Sequence, residues 1–187
     1  AFYGMSSLKN VTLPNSITSI GNSAFSGCTS ISNNMLPSKV INIGNNAFDG
    51  CTNAQFNELN IPNTVTSIGN YAFANCNGLT AVTVPGTVKS MGSYAFRRCK
   101  NLKTAIIKDG VGSIGAQTFS ECTTLTSLTL PYAGLSLKSI DDNSAPIYSY
   151  LFNDCYVSTG TYSVNGYGIP NTLTNITITG GTKVPDR

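Results

Sequence analysis

The chain has 187 residues, of which 10% are charged; its net charge is +3, and it has neither histidine nor tryptophan. So small a net charge argues against a dedicated nucleic-acid binder, and no run approaches the roughly 20 apolar residues of a membrane-spanning helix. No signal peptide, charged tail or lipidation motif is present, and the polar residues are Ser, Thr, Asn and Gly rather than Lys and Glu, a palette for strands and turns.

Seven of the eight phenylalanines fall at 2, 25, 48, 73, 96, 119 and 152. Three residues beyond them come Met5 and then Cys28, Cys51, Cys76, Cys99, Cys122 and Cys155. Ala1, Ala24, Ala47, Ala72 and Ala95 precede the first five rings, Thr118 and Leu151 the last two. Self-similarity at 20 to 30 residues is the mark of a solenoid. The first unit continues through Leu8, Val11, Leu13, Pro14, Ile17, Ile20 and Gly21. By this alignment the units are 1–23, 24–46, 47–71, 72–94, 95–117, 118–150 and 151–187, which make one domain of the whole chain, 1–187.

Within each unit the Leu-x-x-Leu-x-Leu spacing puts alternate apolar side chains on one side of a short strand. It predicts one parallel sheet, with strands near 10–13, 33–36, 58–61, 81–84, 104–107, 127–130 and 175–178. Asn10, Thr12, Asn33, Met35, Glu58, Asn60, Ala81, Thr83, Thr104, Ile106, Ser127, Thr129, Asn175 and Thr177 then face outward on its concave side. Proline has no N–H and ends the ladder at Pro14, Pro37, Pro62, Pro85 and Pro131. Gly21, Gly44, Gly69, Gly92 and Gly115 suit a turn needing either positive φ or close backbone approach.

The strand segment Leu125-x-x-Leu128-x-Leu130 resembles the leucine-rich repeat signature, and the added Ala-Phe-x-x-Cys, Pro and Ile-Gly positions are similar to the BspA-like subfamily. Departures fall late: Lys108 takes the proline position of unit five, Asp141 the glycine position of unit six, and unit seven is expanded. The resemblance implies an α/β-type solenoid, right-handed, with a parallel β-sheet on the concave face and a mostly irregular or short-helical convex side. It also implies an extracellular or cell-surface adhesin that contacts host proteins, matrix or other cells. The chain begins and ends at the same phase of the repeat, as a segment cut from a longer protein would.

The cysteines share one rung position and are expected to be buried free thiols that pack as small hydrophobes. No C-x-x-C pair suggests a metal, and no cofactor is implied. Without histidine there is no Ser–His or Cys–His pair, and Asp141-Asp142 reads as a solvated loop. The chain is therefore expected to be no enzyme. Candidate binding residues lie in two places. The insertions of units six and seven hold Tyr132, Tyr148, Tyr150, Tyr156, Tyr162 and Tyr167 amid Ser, Gly and Asn, a composition suited to contact surfaces. A basic run of Arg97, Arg98, Lys100, Lys103 and Lys108 could meet an acidic partner or glycan. A protein or glycan ligand is the expected partner; the competing reading is a passive spacer that holds another domain away from the surface.

Overall fold

The structure is a computed structural model that describes residues 2–32, 36–53, 57–131, 151, 157–158, 161–162 and 170–179. Among these, five strands build a parallel sheet in the spatial order β3 (Glu58–Asn60), β5 (Ala81–Val84), β7 (Thr104–Ile107), β8 (Ser127–Pro131) and β11 (Asn175–Thr179). Their register is the repeat register. Leu59, Val82, Ala105, Leu128 and Ile176 are successive partners, and the outward residues Glu58, Ala81, Thr104, Ser127 and Asn175 form the neighbouring row. Segment 10–13 carries no assigned strand, and residues 33–35 lie outside the described residues.

The expectation of a single sheet needs correction. A second parallel sheet runs through the units, made of β1 (Ser19–Ile20), β2 (Asn42–Ile43), β4 (Ser67–Ile68) and β6 (Ser90–Met91), and a bridge from Met91 to Ile114 continues it. Each of these strands has two residues and buries only one, namely Ile20, Ile43, Ile68 or Met91. A two-residue strand cannot show alternation, so the apolar pair before each glycine carried no strand signal. Elsewhere β9 (Val157–Ser158) and β10 (Thr161–Tyr162) form an antiparallel pair.

The α/β and short-helical part of the expected fold class is also corrected: Leu151 is the one helical position among the described residues. The Ala-Phe-x-x-Cys segment is a chain of tight turns with a left-handed residue two places before the ring and another two places after. Ser23, Asn46, Tyr71, Tyr94 and Gln117 take the first place, with φ between 52° and 61°. Gly4, Gly27, Gly50, Asn75, Arg98 and Glu121 take the second. A helix cannot contain such residues, since left-handed φ throws its next hydrogen bond out of line. The parallel solenoid thus closes through turns, not through helices.

These turns are laddered as firmly as the strands. The N–H of Phe25, Phe48, Phe73 and Phe96 each donates to a carbonyl of the following unit, on Ala47, Ala72, Ala95 and Thr118 at 2.8–3.0 Å. The rings stack above these bonds, with centroids 5.2–5.8 Å apart and planes within 11° from Phe2 to Phe119. Proline has a second role besides ending the ladder. The carbonyls of Pro14, Pro37, Pro62 and Pro85 accept from the N–H three residues on, at 3.0–3.1 Å, and so open the turn into the second sheet. Lys108 does the same for Val111 at 3.4 Å, so the missing proline leaves the turn intact. One continuous core runs through the units, built from these rings, the cysteines and the inward strand residues.

Candidate interaction surface

Three side-chain ladders and one polar cluster decide what the solenoid can do. The first ladder is sulfur. Cys28, Cys51, Cys76, Cys99 and Cys122 are free and buried, and each thiol donates to the carbonyl of the preceding unit's phenylalanine, at 2.9–3.4 Å. Burial pushes the Cys51 thiol from 9.0 up to about 12, and it raises Cys76 and Cys99 well above that ordinary value. A protonated, buried thiol is a poor nucleophile, so Cys51, Cys76 and Cys99 build structure. Cys155 lies outside the described residues. In unit seven the place three residues before the inward leucine is taken by Pro170, whose carbonyl accepts from Leu173 at 2.9 Å as Cys122 accepts from Leu125 at 3.2 Å.

The second ladder is asparagine. Asn22 Oδ1 accepts from the Asn45 N–H, Asn45 from Asn70 and Asn70 from Ser93, each at 2.8 Å. The glycine of the following unit lets each asparagine side chain cross the rung: Gly44 for Asn22, Gly69 for Asn45 and Gly92 for Asn70. A Cβ on Gly69 would meet Asn45 Oδ1 at 2.6 Å and the Asn45 nitrogen at 2.5 Å. None of the five has a left-handed φ, and close approach is the role that Gly44, Gly69, Gly92 and Gly115 serve, since a Cβ on each would clash with the preceding unit, whereas Gly21 at the start of the series has nothing within 4 Å. An uncharged groove of about 540 Å³ follows this seam, floored by the glycines and edged by Ser19, Asn42, Ser67 and Ser90.

The third ladder is the outward face of the larger sheet, where Thr83, Thr104, Ile106, Ser127 and Thr129 are half-buried and Glu58, Asn60, Asn175 and Thr177 exposed. It bears little charge. Aromatic and cationic groups gather instead at the turns of units three to six. Tyr71 and Tyr94 stack with centroids 4.6 Å apart, and the Arg97 guanidinium lies 5.6 Å from the Tyr94 ring. Arg97 also reaches Glu121 Oε1 through Nε and Nη2, at 3.0 and 2.6 Å, and Arg98 Nε reaches Oε2 at 2.7 Å. Burial alone would raise the Glu121 pKa; hydrogen bonds from Arg98 and Arg97, with their charges, outweigh it and hold the carboxyl below its ordinary value.

Of the candidate binding residues, Arg97 and Arg98 are therefore brought together on one carboxylate, while Lys100, Lys103 and Lys108 are exposed nearby in sequence. Tyr132, Tyr148, Tyr150, Tyr156 and Tyr167 lie outside the described residues, as does the Tyr162 side chain; the Tyr162 backbone belongs to β10. The sequence reading missed Tyr71 and Tyr94. Their signal was present: both hold the same repeat position, so their rings had to neighbour each other once the units stacked. Among the described residues no group of three or more metal-binding side chains occurs, and no helix is long and apolar enough to cross a membrane.

The stacked units, short parallel strands and phenylalanine column define a leucine-rich repeat solenoid. The chain belongs to the BspA-type leucine-rich repeat family: the BspA type leucine rich repeat region matches in six copies over residues 1–56 and 52–145. Among solved structures it is similar to a leucine-rich repeat protein of T. pallidum, with 36% identity and a TM-score of 0.64 over 68% of this chain. The match spans 59% of that protein, so this chain corresponds to about three fifths of its length. A leucine-rich repeat protein of Eubacterium ventriosum ATCC 27560 shares the fold, with 23% identity and a TM-score of 0.53 over 93% of this chain and 44% of that one. Comparison with curated proteins found no match. Leucine-rich repeats of this family serve generally as protein-interaction scaffolds.

Proposed function

We propose that this chain is the non-catalytic binding module of a secreted or cell-surface adhesin-like protein and contacts a protein or glycan of the matrix or of another cell. One observation carries the reading: core positions repeat from unit to unit while surface positions of identical geometry do not. The left-handed place before the ring is Ser23, Asn46, Tyr71, Tyr94 and Gln117 in turn, on a backbone that hardly changes. A constant frame with changing surface side chains suits recognition, for which no assembled catalytic group is needed. Surface location and the adhesin role rest on the family, as does the right-handed sense of the coil.

Affinity is assigned chiefly to the Tyr-rich insertions, assisted by the Tyr94–Arg97 side of the turns, because tyrosine and arginine dominate binding energies and small polar residues do not. The competing reading, a passive spacer, draws on the weakly charged, Thr-rich sheet face. To test the proposal, the 187-residue chain is screened against matrix proteins, glycans and whole cells. Saturable binding is expected, and it should fall with Tyr148→Ala plus Tyr162→Ala by about 2 kcal/mol or more while Thr83→Ala plus Thr129→Ala leaves it unchanged. Loss in the folded threonine variant alone would move the site to the sheet face; no binding to any target would favour the spacer.

A further inference from the structure

We propose that Asn77-Gly78 is a self-modification site, at which the Gly78 nitrogen and water convert the Asn77 side chain to aspartate and isoaspartate. It is the one Asn-Gly pair among the described residues. The reaction asks three things of a fold: a nitrogen free to attack, a polarised side-chain carbonyl, and a polarised peptide carbonyl between them. All three meet at this turn.

Gly78 supplies the nitrogen. It has no Cβ to shield it, and its N–H, although buried, has no hydrogen-bond acceptor among the described residues. A buried N–H without a partner is rare and costs stability. The Asn77 Oδ1 accepts from the Lys100 N–H at 3.3 Å, a donor placed for the negative charge that gathers on this oxygen as Cγ is attacked. The Asn77 main-chain carbonyl accepts from Asn101 Nδ2 at 2.7 Å, which polarises the peptide and helps its nitrogen, that of Gly78, to give up a proton. Both donors belong to the next unit, so the stacking of units arranges the site. Asp49-Gly50 is the contrast: a carboxylate resists attack, and the Gly50 N–H is committed to Ala74 O at 2.9 Å.

Water is the only co-reactant. Gly78 N loses its proton to solvent and bonds to Asn77 Cγ, the Cγ–Nδ2 bond breaks, and a succinimide closes. Ammonia leaves with a proton from solvent that matches the one Gly78 lost. Water then opens the ring. Opening at Cγ leaves aspartate on an unchanged backbone, whereas opening at the main-chain carbonyl leaves isoaspartate, with the backbone routed through Cγ and lengthened by a carbon. Either product adds a carboxylate beside the unit that carries Arg97, Arg98 and Lys100. The lengthened backbone also draws the Leu79 N–H off Cys76 O, which it meets at 3.1 Å, and so loosens the turn that seats the fully buried Leu79.

Incubation of the folded 187-residue chain in mildly alkaline buffer, followed by peptide mapping with tandem mass spectrometry, tests this. Asn77 should give both aspartate and isoaspartate, ahead of the asparagines that precede larger residues. Asn101→Ala, which removes the donor to the Asn77 carbonyl, should slow the conversion several-fold in folded protein and leave it unchanged in urea. Asn101→Thr should restore it, because Thr124 holds the same place in unit six and donates through Oγ1 to Lys100 O at 2.8 Å. A substitution that merely loosened the turn would speed the conversion, so the sign separates the two effects. Native thiol protection verifies folding of each variant, and the wild-type result stands without them. Asn77 left intact in the folded wild type, a folded Asn101→Ala variant that converts as fast or faster, or no recovery in Asn101→Thr would each overturn the proposal.

Discussion

Cys76 shows what one repeat position does. Its thiol is fully buried and donates to Phe48 O at 3.1 Å, a carbonyl that also accepts from the Cys51 N–H at 3.1 Å. A serine there keeps a donor aimed at a waiting acceptor, so Cys76→Ser should cost only about 1 kcal/mol. Cys76→Ala, which leaves a small void, should cost about 1–2 kcal/mol; urea denaturation of the two variants checks the order. The same burial sets an alkaline limit. Cys51 ionises near 9.0 in the unfolded chain and near 12 in the fold, so between these values the unfolded state has lost its proton and the native state has not. Stability therefore holds below pH 9.0 and falls from there toward pH 12, and thiol labelling of native protein near neutrality should be slow. Glu121 works in the opposite direction, its lowered pKa adding stability above its ordinary value that disappears as acid protonates it. That the cysteines would be buried and free was legible from their single rung position, and five of them are so. Their acceptor was not legible, because a carbonyl carries no sequence signal.

At the level of elements, the strands of the larger sheet were readable because three to five residues run there, with inward and outward places alternating in β3, β5, β7 and β8. Strands 81–84 and 104–107 fall where the pattern puts them, and β8 and β11 each run one residue longer. The second sheet and the paired left-handed turns were not readable, since two-residue strands show no period and Tyr71 or Arg98 at positive φ contradicts local preference. Glycine positions tell the same story. Gly21 and Gly69 hold one motif position, yet a Cβ on Gly21 meets nothing within 4 Å, while on Gly69 it meets the Asn45 nitrogen at 2.5 Å. Gly21→Ala should change stability by no more than about 1 kcal/mol, and Gly69→Ala should lower it by more than about 2 kcal/mol. Thermal unfolding of the pair measures this, and equal effects would mean the asparagine seam does not hold the units together.

Among the described residues contacts run chiefly between neighbouring units, with a hydrogen bond from Thr179 to Asp109 that skips one, so stability is close to a sum of units and of the contacts between them. A break in the middle then does more harm than one at an end. Phe73 is fully buried between Phe48 and Phe96, whereas Phe2 is 39% exposed at the end of the stack. Phe73→Ala should cost about 3–5 kcal/mol, and Phe2→Ala distinctly less, as guanidinium titration would show. The fold was legible at this scale because seven phenylalanines repeat in step, whereas the partner surface was not, since recognition resides in the positions that do not repeat.

All of these effects presuppose one arrangement, in which like positions of successive units lie side by side in parallel register. Ser67 and Ser90 are such partners, on β4 and β6, and Asn42 lies one strand further from Ser90. Adjacent strands are about 4.8 Å apart, within disulfide reach, while two strands span about twice that. Oxidation of a variant carrying Ser67→Cys and Ser90→Cys, followed by mass spectrometry, tests the register directly. The account predicts that the two introduced thiols crosslink in folded protein, with the native cysteines still reduced and no crosslink in the control carrying Asn42→Cys and Ser90→Cys. A crosslink in the control, or none in the adjacent pair, would contradict it.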